Sequence, residues 1–270
     1  PTMNRSEIFF FFFSGIGTIA GSVMGTYIGM LGGTDPAAKV LFATHLLSAS
    51  VMAVPGSIVL AKMLCPQTEE ATDHVAISGK EKENSNILDA ISSGTVTGVK
   101  LMTNIAAMLL VFISLVALAN YITEGVIGRY TGLNDWIVKI TDGKAQGLTF
   151  QFILGVITSP FMWLIGVPSQ DIMLVGSLLG QKTILNEFVA YFQLQQWKDA
   201  GLFMYEKSIL MSTYILCGFA NISSIGILLG GLGVLAPEKR GLISRIGVPA
   251  MIGGALVSVL SATIIGMILG

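Results

Sequence analysis

Charged residues divide the chain into six uncharged, mostly apolar windows: 8–34, 40–61, 101–123, 145–170, 208–237 and 246–270. A helix needs about 20 apolar residues to cross roughly 30 Å of hydrocarbon, so five of the windows read as full spans. The window 145–170 is different, with Pro160 near its middle and Pro168 near its end. Its residues leave a spanning helix and an amphipathic helix lying in the membrane interface equally open. The stretch 171–197 follows another pattern. Two short apolar runs, 172–181 and 188–197, flank the polar tip Lys182-Thr183-Ile184-Leu185-Asn186-Glu187. A run of about ten residues covers roughly 15 Å as a helix, half a bilayer, so the two predict a re-entrant hairpin with its tip near the midplane. One span with a buried ion pair is the competing reading.

The order of the windows suggests a repeat. A polar-centred window (8–34) precedes a Pro-containing one (40–61), and 208–237 precedes 246–270 in the same way, with the hairpin standing before the second pair. Structural repeats with interrupted helices are the mark of secondary transporters. A matching hairpin would then lie before Pro1. Small residues recur every fourth position at Gly17, Gly21, Gly25, Gly29 and Gly33, and again at Gly254, Ser258, Ala262, Gly266 and Gly270. Both stripes predict close helix packing. The five phenylalanines 9–13 read as lipid-facing bulk.

Composition supports a membrane location. Of 270 residues, 53% are hydrophobic and 11% charged, against about 25% charged in a soluble domain. Mean hydropathy is +0.76. The net charge of −1 offers no basic face for nucleic acid. Cys65 and Cys217 form neither a metal spacing nor a disulfide framework. The chain opens on Pro1 without a Met or a signal-peptide pattern, and the true N-terminus is expected upstream.

Ionisable groups inside a membrane are functional by default. Glu187, at the hairpin tip, is the sharpest case. An ionised carboxylate there must find donors or a cation. It could pair with Lys182, accept two adjacent hydroxyls of a sugar, or hold a proton or sodium ion. A second polar cluster, Cys217-Gly218-Phe219-Ala220-Asn221-Ile222-Ser223-Ser224-Ile225-Gly226, sits in the middle of an apolar window. Its glycines predict an unwound segment whose freed backbone faces a cavity, with interhelical hydrogen bonding as the alternative. A third, Thr18-Ile19-Ala20-Gly21-Ser22-Val23, offers a hydroxyl and unwound carbonyls suited to sodium. Catalysis finds no support: no zinc spacing, nucleophile elbow or P-loop is present. Of the two histidines, His74 lies in a charged loop and His45 reads as a helix-end residue.

Gly180-Gln181-Lys182-Thr183-Ile184-Leu185-Asn186-Glu187-Phe188-Val189-Ala190-Tyr191 and Cys217-Gly218-Phe219-Ala220-Asn221-Ile222-Ser223-Ser224-Ile225-Gly226-Ile227 closely resemble the concentrative nucleoside transporters. Arg5-Ser6-Glu7, the Thr18–Val23 segment, Ala49-Ser50-Val51-Met52-Ala53-Val54-Pro55 and Ala61-Lys62 fit the same family. The resemblance implies an all-α integral membrane protein, an inverted-repeat secondary transporter with a re-entrant hairpin and broken transmembrane helices. It implies a homotrimer in the cell membrane, here a bacterial inner membrane. It gives Glu187, Asn221 and Ser224 the ribose, with Phe219 beside them and Val23 on the nucleobase side. It gives Thr18 and the Ile19 carbonyl a sodium site, and makes 145–170 an interfacial helix. The family's Gly-Gln-Thr-Glu-Ala-Pro motif of the first hairpin is missing from the chain, which is therefore expected to lack the first three spans and that hairpin.

The expected organisation is two transmembrane helices of the first repeat (1–64), a polar linker (65–92), a long scaffold helix (93–123), a loop and interfacial helix (124–168), the re-entrant hairpin (169–197), and the broken helix and final span of the second repeat (205–270). The expected function is symport of nucleosides, coupled to sodium or protons, into the cell by alternating access, with no cofactor beyond the coupling ion and no enzymatic activity. An ion channel or ion-only exchanger using Glu187 is the alternative. Lys and Arg side preference barely orients the chain: Arg5, Lys62, Lys80, Lys82, Lys239, Arg240 and Arg245 fall on one side, and Lys39, Arg129, Lys139, Lys144, Lys198 and Lys207 on the other.

Overall fold

The computed structural model describes residues 4–68, 86–141, 143, 145–226 and 240–270. Helices and their connections account for all of them, and no strand occurs among the described residues. In chain order the helices are α1 (Arg5–Gly17), α2 (Gly21–Gly32), α3 (Pro36–Leu64), α4 (Ile87–Asn120), a π-helical segment (Tyr121–Gly128), α5 (Arg129–Thr131), α6 (Leu133–Ile140), α7 (Phe150–Leu164), α8 (Ile172–Ile184), α9 (Glu187–Asp199) and α10 (Glu206–Leu216). A helical stretch at 222–226, α11, precedes α12 (Arg240–Ile268). The chain forms two compact units, one of Pro1–Ala71 with Gln151–Gly270, the other of Thr72–Phe150.

Local chemistry sets the helix boundaries. Asn4 accepts a hydrogen bond from the Glu7 backbone N–H at 2.9 Å, while the Glu7 carboxylate accepts from the Asn4 N–H at 2.9 Å; this reciprocal box starts α1. Asp35 caps α3, with Pro36 in the first turn, where its missing N–H costs nothing. Asn86 caps α4 through the Asp89 N–H, so the helix begins ahead of the uncharged window. In the second unit, Asn134 donates to the Glu124 carbonyl and accepts from the Leu148 N–H, tying the π-helical segment to the loop after α6.

Among the described residues, Pro36–Leu64 and the Ser244–Ile268 part of α12 are singly long and apolar enough to cross a membrane. The windows 8–34 and 208–237 are not continuous helices. The first breaks at 18–20 and the second at 217–221, and 227–239 lies outside the described residues.

In the first unit α1 packs on α3 and α12, and Phe9, Phe12, Phe13 and Ile16 are buried there. The phenylalanine run is therefore not lipid-facing bulk, and only Phe11 among them is largely exposed, at 53%. Positions 9, 12, 13 and 16 share one helical face, and Phe13 fills space that a side chain at Gly253 would occupy. The two small-residue stripes part company. On α12, Gly254 meets Ile16, Gly266 meets Met211, and Ser258 and Ala262 are buried. On α2, Gly21, Gly25 and Gly29 are exposed, and a side chain there would meet nothing described within 4 Å. The break after Gly17 ends the fourfold spacing as a description of one face. His45 lies inside α3 rather than at its end, and its Nδ1 is 3.1 Å from the Tyr214 hydroxyl.

The helices α8 and α9 form a hairpin joined by Leu185 and Asn186, whose side chain caps α9 through the Val189 N–H. The hairpin grips α10 at both ends. Asp171, fully buried, accepts from the Met204 N–H at 3.0 Å and the Tyr205 N–H at 3.1 Å, just ahead of α10. Lys182, also fully buried, donates to the Ile215 carbonyl at 2.7 Å and to Ser258 Oγ at 3.0 Å. Tyr191 donates to the Thr213 carbonyl at 2.8 Å. Helix ends leave N–H groups and carbonyls without partners, and here an anion sits at the positive pole of α10 and a cation at its negative pole.

Replacing Asp171 by Ala is expected to lower the unfolding free energy by about 1–3 kcal/mol, since two N–H groups lose their buried acceptor. Thermal unfolding of the purified protein checks this, and an unchanged midpoint would remove Asp171 from the grip on α10.

Candidate functional site

The break at 217–221 carries the polar cluster. Leu216 ends α10, Cys217 turns extended, and Gly218 adopts φ +130°, a conformation that L side chains rarely take. A Cβ on Gly218 would lie 2.9 Å from the Gly17 carbonyl oxygen and 3.1 Å from Ser258 Oγ. The end of α1 and the break after α10 thus meet backbone to backbone. Several carbonyls freed by the break have partners: Thr213 and Ile215 from the hairpin as described, and Cys217 from Ser258 Oγ at 2.7 Å. Asn221 then begins the next helical turn. Its Oδ1 accepts from both the Ser224 N–H at 2.8 Å and the Ser224 hydroxyl at 2.9 Å, which leaves its Nδ2 to point elsewhere.

That direction is Glu187. Asn221 Nδ2 donates to Glu187 Oε2 at 2.8 Å, and the Tyr27 hydroxyl approaches Oε1 at 3.4 Å. Glu187 is 6% exposed, Asn221 2%, Ser224 6% and Tyr27 fully buried. Glu187 stands in the first turn of α9 and Lys182 in the last turn of α8, each at the helix end that suits its charge. The competing reading of the tip as an ion pair fails, because Lys182 gives its protons to α10 and Ser258, and no Lys182–Glu187 salt bridge is present among the described residues. The carboxyl group instead joins three elements: the hairpin, α2 through Tyr27, and the start of α11 through Asn221.

The remaining candidates sit near the breaks without entering this hydrogen-bonded group. Thr18 follows the end of α1 and donates to the Ser14 carbonyl at 3.1 Å. Ile19 is buried in the core and Val23 packs half-buried against it. Phe219 is half-buried at the break. Among the described residues no group of three or more His, Cys, Asp and Glu could hold a metal ion. Sequence reasoning passed over Tyr27. It is the only aromatic hydroxyl in the window 8–34, but a tyrosine in an apolar window reads as core.

Residues 45–266 match the family model described as Na+ dependent nucleoside transporter C-terminus. An uncharacterized transporter of Haemophilus influenzae is 38% identical over 99% of the chain and 60% of its own length. Sodium/nucleoside cotransporter 1 of Rattus norvegicus is 37% identical over 98% of the chain and 40% of its own length. Nucleoside permease NupC of Helicobacter pylori is 35% identical over 100% and 59%. The structure of CNTnw in an inward-facing substrate-bound state superposes with a TM-score of 0.80 at 35% identity, covering 98% of this chain and 58% of that one. An outward-facing CNTnw variant gives 0.83 at 35% identity, over 98% and 59%. The chain thus spans 40–60% of the length of these curated relatives.

The geometry at the meeting of the two breaks predicts opposite results for two glycines. Gly218→Ala forces an unfavourable φ and a clash with the Gly17 carbonyl, and is expected to destabilise the protein by about 1–3 kcal/mol. Gly25→Ala adds a side chain in open space within a helix and is expected to be neutral or to stabilise by up to about 1 kcal/mol. Melting curves of both variants check this; equal midpoints would contradict the close approach at Gly218.

Proposed function

Because the chain belongs to the Na+ dependent nucleoside transporter family, we propose that it binds nucleosides and takes part in carrying them across a membrane with a coupling cation. The observation that carries this reading is the buried Glu187 carboxyl group, whose two oxygens accept hydrogen bonds from elements on either side. A carboxylate can accept from two adjacent hydroxyls at once, the pattern that a ribose presents. In this reading Glu187, Asn221 and Ser224 read the sugar, Phe219 stands beside it, and Val23 lines the nucleobase side. Thr18 and the Ile19 carbonyl would coordinate sodium, in keeping with the sodium-coupled cotransport named for the rat relative.

The α8–α9 hairpin acts as a re-entrant element whose tip brings Glu187 to the midplane. Each of its helices has 13 residues, about 20 Å at 1.5 Å per residue, too short to cross the hydrocarbon alone. The breaks at 18–20 and 217–221 are the equivalent points of two inverted repeats, each placing non-helical backbone beside a midplane site. The grip of Asp171 and Lys182 on α10 would make hairpin and broken helix move together. Exposed apolar side chains on α3, such as Val40, Val51 and Val54, suit lipid or a second copy in a homotrimer. The window 145–170, which includes α7, serves as an interfacial helix.

Glu187→Gln tests the site. Gln keeps the shape, accepting from Asn221 through its carbonyl and donating toward Tyr27, so folding should be little affected. It has one acceptor oxygen where a diol needs two. A hydrogen bond to a charged group contributes about 1.5–3 kcal/mol, so nucleoside affinity should fall about tenfold or more. Binding of labelled uridine and the melting temperature are measured on the same purified protein; unchanged affinity would remove Glu187 from the site. Uptake in cells expressing the native gene tests the coupling ion. Replacing sodium by choline should abolish accumulation, whereas accumulation that survives choline and collapses with a protonophore would show proton coupling. Failure to concentrate uridine at all would favour the channel.

A further inference from the structure

The Tyr27 hydroxyl is the second side-chain donor to Glu187. Its surroundings fix it closely. The ring is fully buried and stacks on Tyr191, with centroids 4.1 Å apart and planes inclined by 24°. Phe188 packs against it at a tilted 6.4 Å. Tyr191 is itself tethered to the Thr213 carbonyl at 2.8 Å. Glu187, Phe188 and Tyr191 all lie within the first five residues of α9, so Tyr27 is held by the turn of helix that presents the carboxyl group.

The two side-chain donors to Glu187 are unequal. Asn221 Nδ2 lies 2.8 Å from Oε2, a full hydrogen bond, and Asn221 is braced by Ser224. The Tyr27 hydroxyl lies 3.4 Å from Oε1, well beyond the usual 2.7–2.8 Å of an O–H···O bond. The stacked ring leaves the hydroxyl little freedom to close this gap. A buried carboxyl oxygen without a donor is costly, so a weak donor is better than none while no ligand is bound. A sugar hydroxyl that is free to approach can make the shorter bond and take its place.

We propose that Tyr27 is a specificity-determining placeholder: it satisfies Glu187 Oε1 in the ligand-free protein and is displaced there by one hydroxyl of the sugar. The proposal rests on Glu187 being the sugar-reading carboxylate. Oε2 stays with Asn221 throughout and accepts the neighbouring hydroxyl with its remaining lone pair. Tyr27 then sets how much is gained when Oε1 is filled, and so how strongly a ribonucleoside is favoured over an analogue lacking one of the adjacent hydroxyls.

The test is Tyr27→Phe, which removes the hydroxyl and keeps the stacked ring. Affinities for uridine, 2′-deoxyuridine and 3′-deoxyuridine are measured on the purified wild type, Tyr27→Phe and Glu187→Gln proteins. With no donor to displace, Tyr27→Phe should bind uridine about three- to tenfold more tightly, the equivalent of one modest hydrogen bond. That gain should vanish for whichever deoxynucleoside lacks the hydroxyl directed to Oε1. The stabilisation of the protein by saturating uridine should rise in parallel. Weaker uridine binding, or an equal change for all three nucleosides, overturns the placeholder, since a packing role would not move the ratio between them. If Glu187→Gln leaves uridine affinity intact, the reading of the site itself fails. If Glu187→Gln weakens uridine while Tyr27→Phe leaves the ratios unchanged, only the inference about Tyr27 fails.

Discussion

A carboxyl group held at 6% exposure inside a helical bundle must be supplied with hydrogen-bond donors, and much of the first unit is arranged to meet that demand at Glu187. The chain interrupts α10 at Cys217–Ala220, restarts at Asn221 and turns an amide toward Oε2. It breaks off α1 at the level of Gly218 and brings Tyr27 from α2 to Oε1. The interruption creates its own cost, a set of carbonyls without partners, and Lys182, Tyr191 and Ser258 answer it. Each polar group in the region is there because of another.

This chain of dependence gives the hairpin its place. Asp171 and Lys182 hold the two ends of α10 with charges of the sign that each end attracts. The carboxyl group at the tip is thereby fixed relative to the break that faces it. Side chains that bind a ligand with two converging hydrogen bonds need such support, since small displacements lengthen both bonds together. Lys182 acts at the C-terminal end of α10, where it donates to the Ile215 carbonyl and Ser258.

Much of this was legible in the sequence, for identifiable reasons. Two half-length apolar runs around a polar tip gave the helical hairpin. Glycines flanking Asn221, Ser223 and Ser224 marked the second break, and the hydroxyl-rich segment at Thr18 marked the first. What stayed hidden depended on three-dimensional direction. The phenylalanines 9–13 looked like lipid-facing bulk because a run of one residue type shows no period, yet the 9, 12, 13, 16 face is core. The glycine stripe 17–33 divides at the break: Gly17 packs closely on Ser57, while Gly21, Gly25 and Gly29 meet no described residue, a difference that fourfold spacing does not carry. Tyr27 was missed because a tyrosine in an apolar window reads as core, and only its partner 160 positions away reveals its hydroxyl as a donor.

The Glu187 carboxyl group is proposed to exchange its Tyr27 donor for a sugar hydroxyl while keeping Asn221. A structure of the protein with uridine bound tests it most directly. The expected result is two adjacent sugar hydroxyls within about 2.5–3.0 Å of the Glu187 oxygens, with Asn221 retained on Oε2 and the sugar oxygen on Oε1 closer than the Tyr27 hydroxyl. A nucleoside bound elsewhere, with Tyr27 and Asn221 still closed over Glu187, would contradict it.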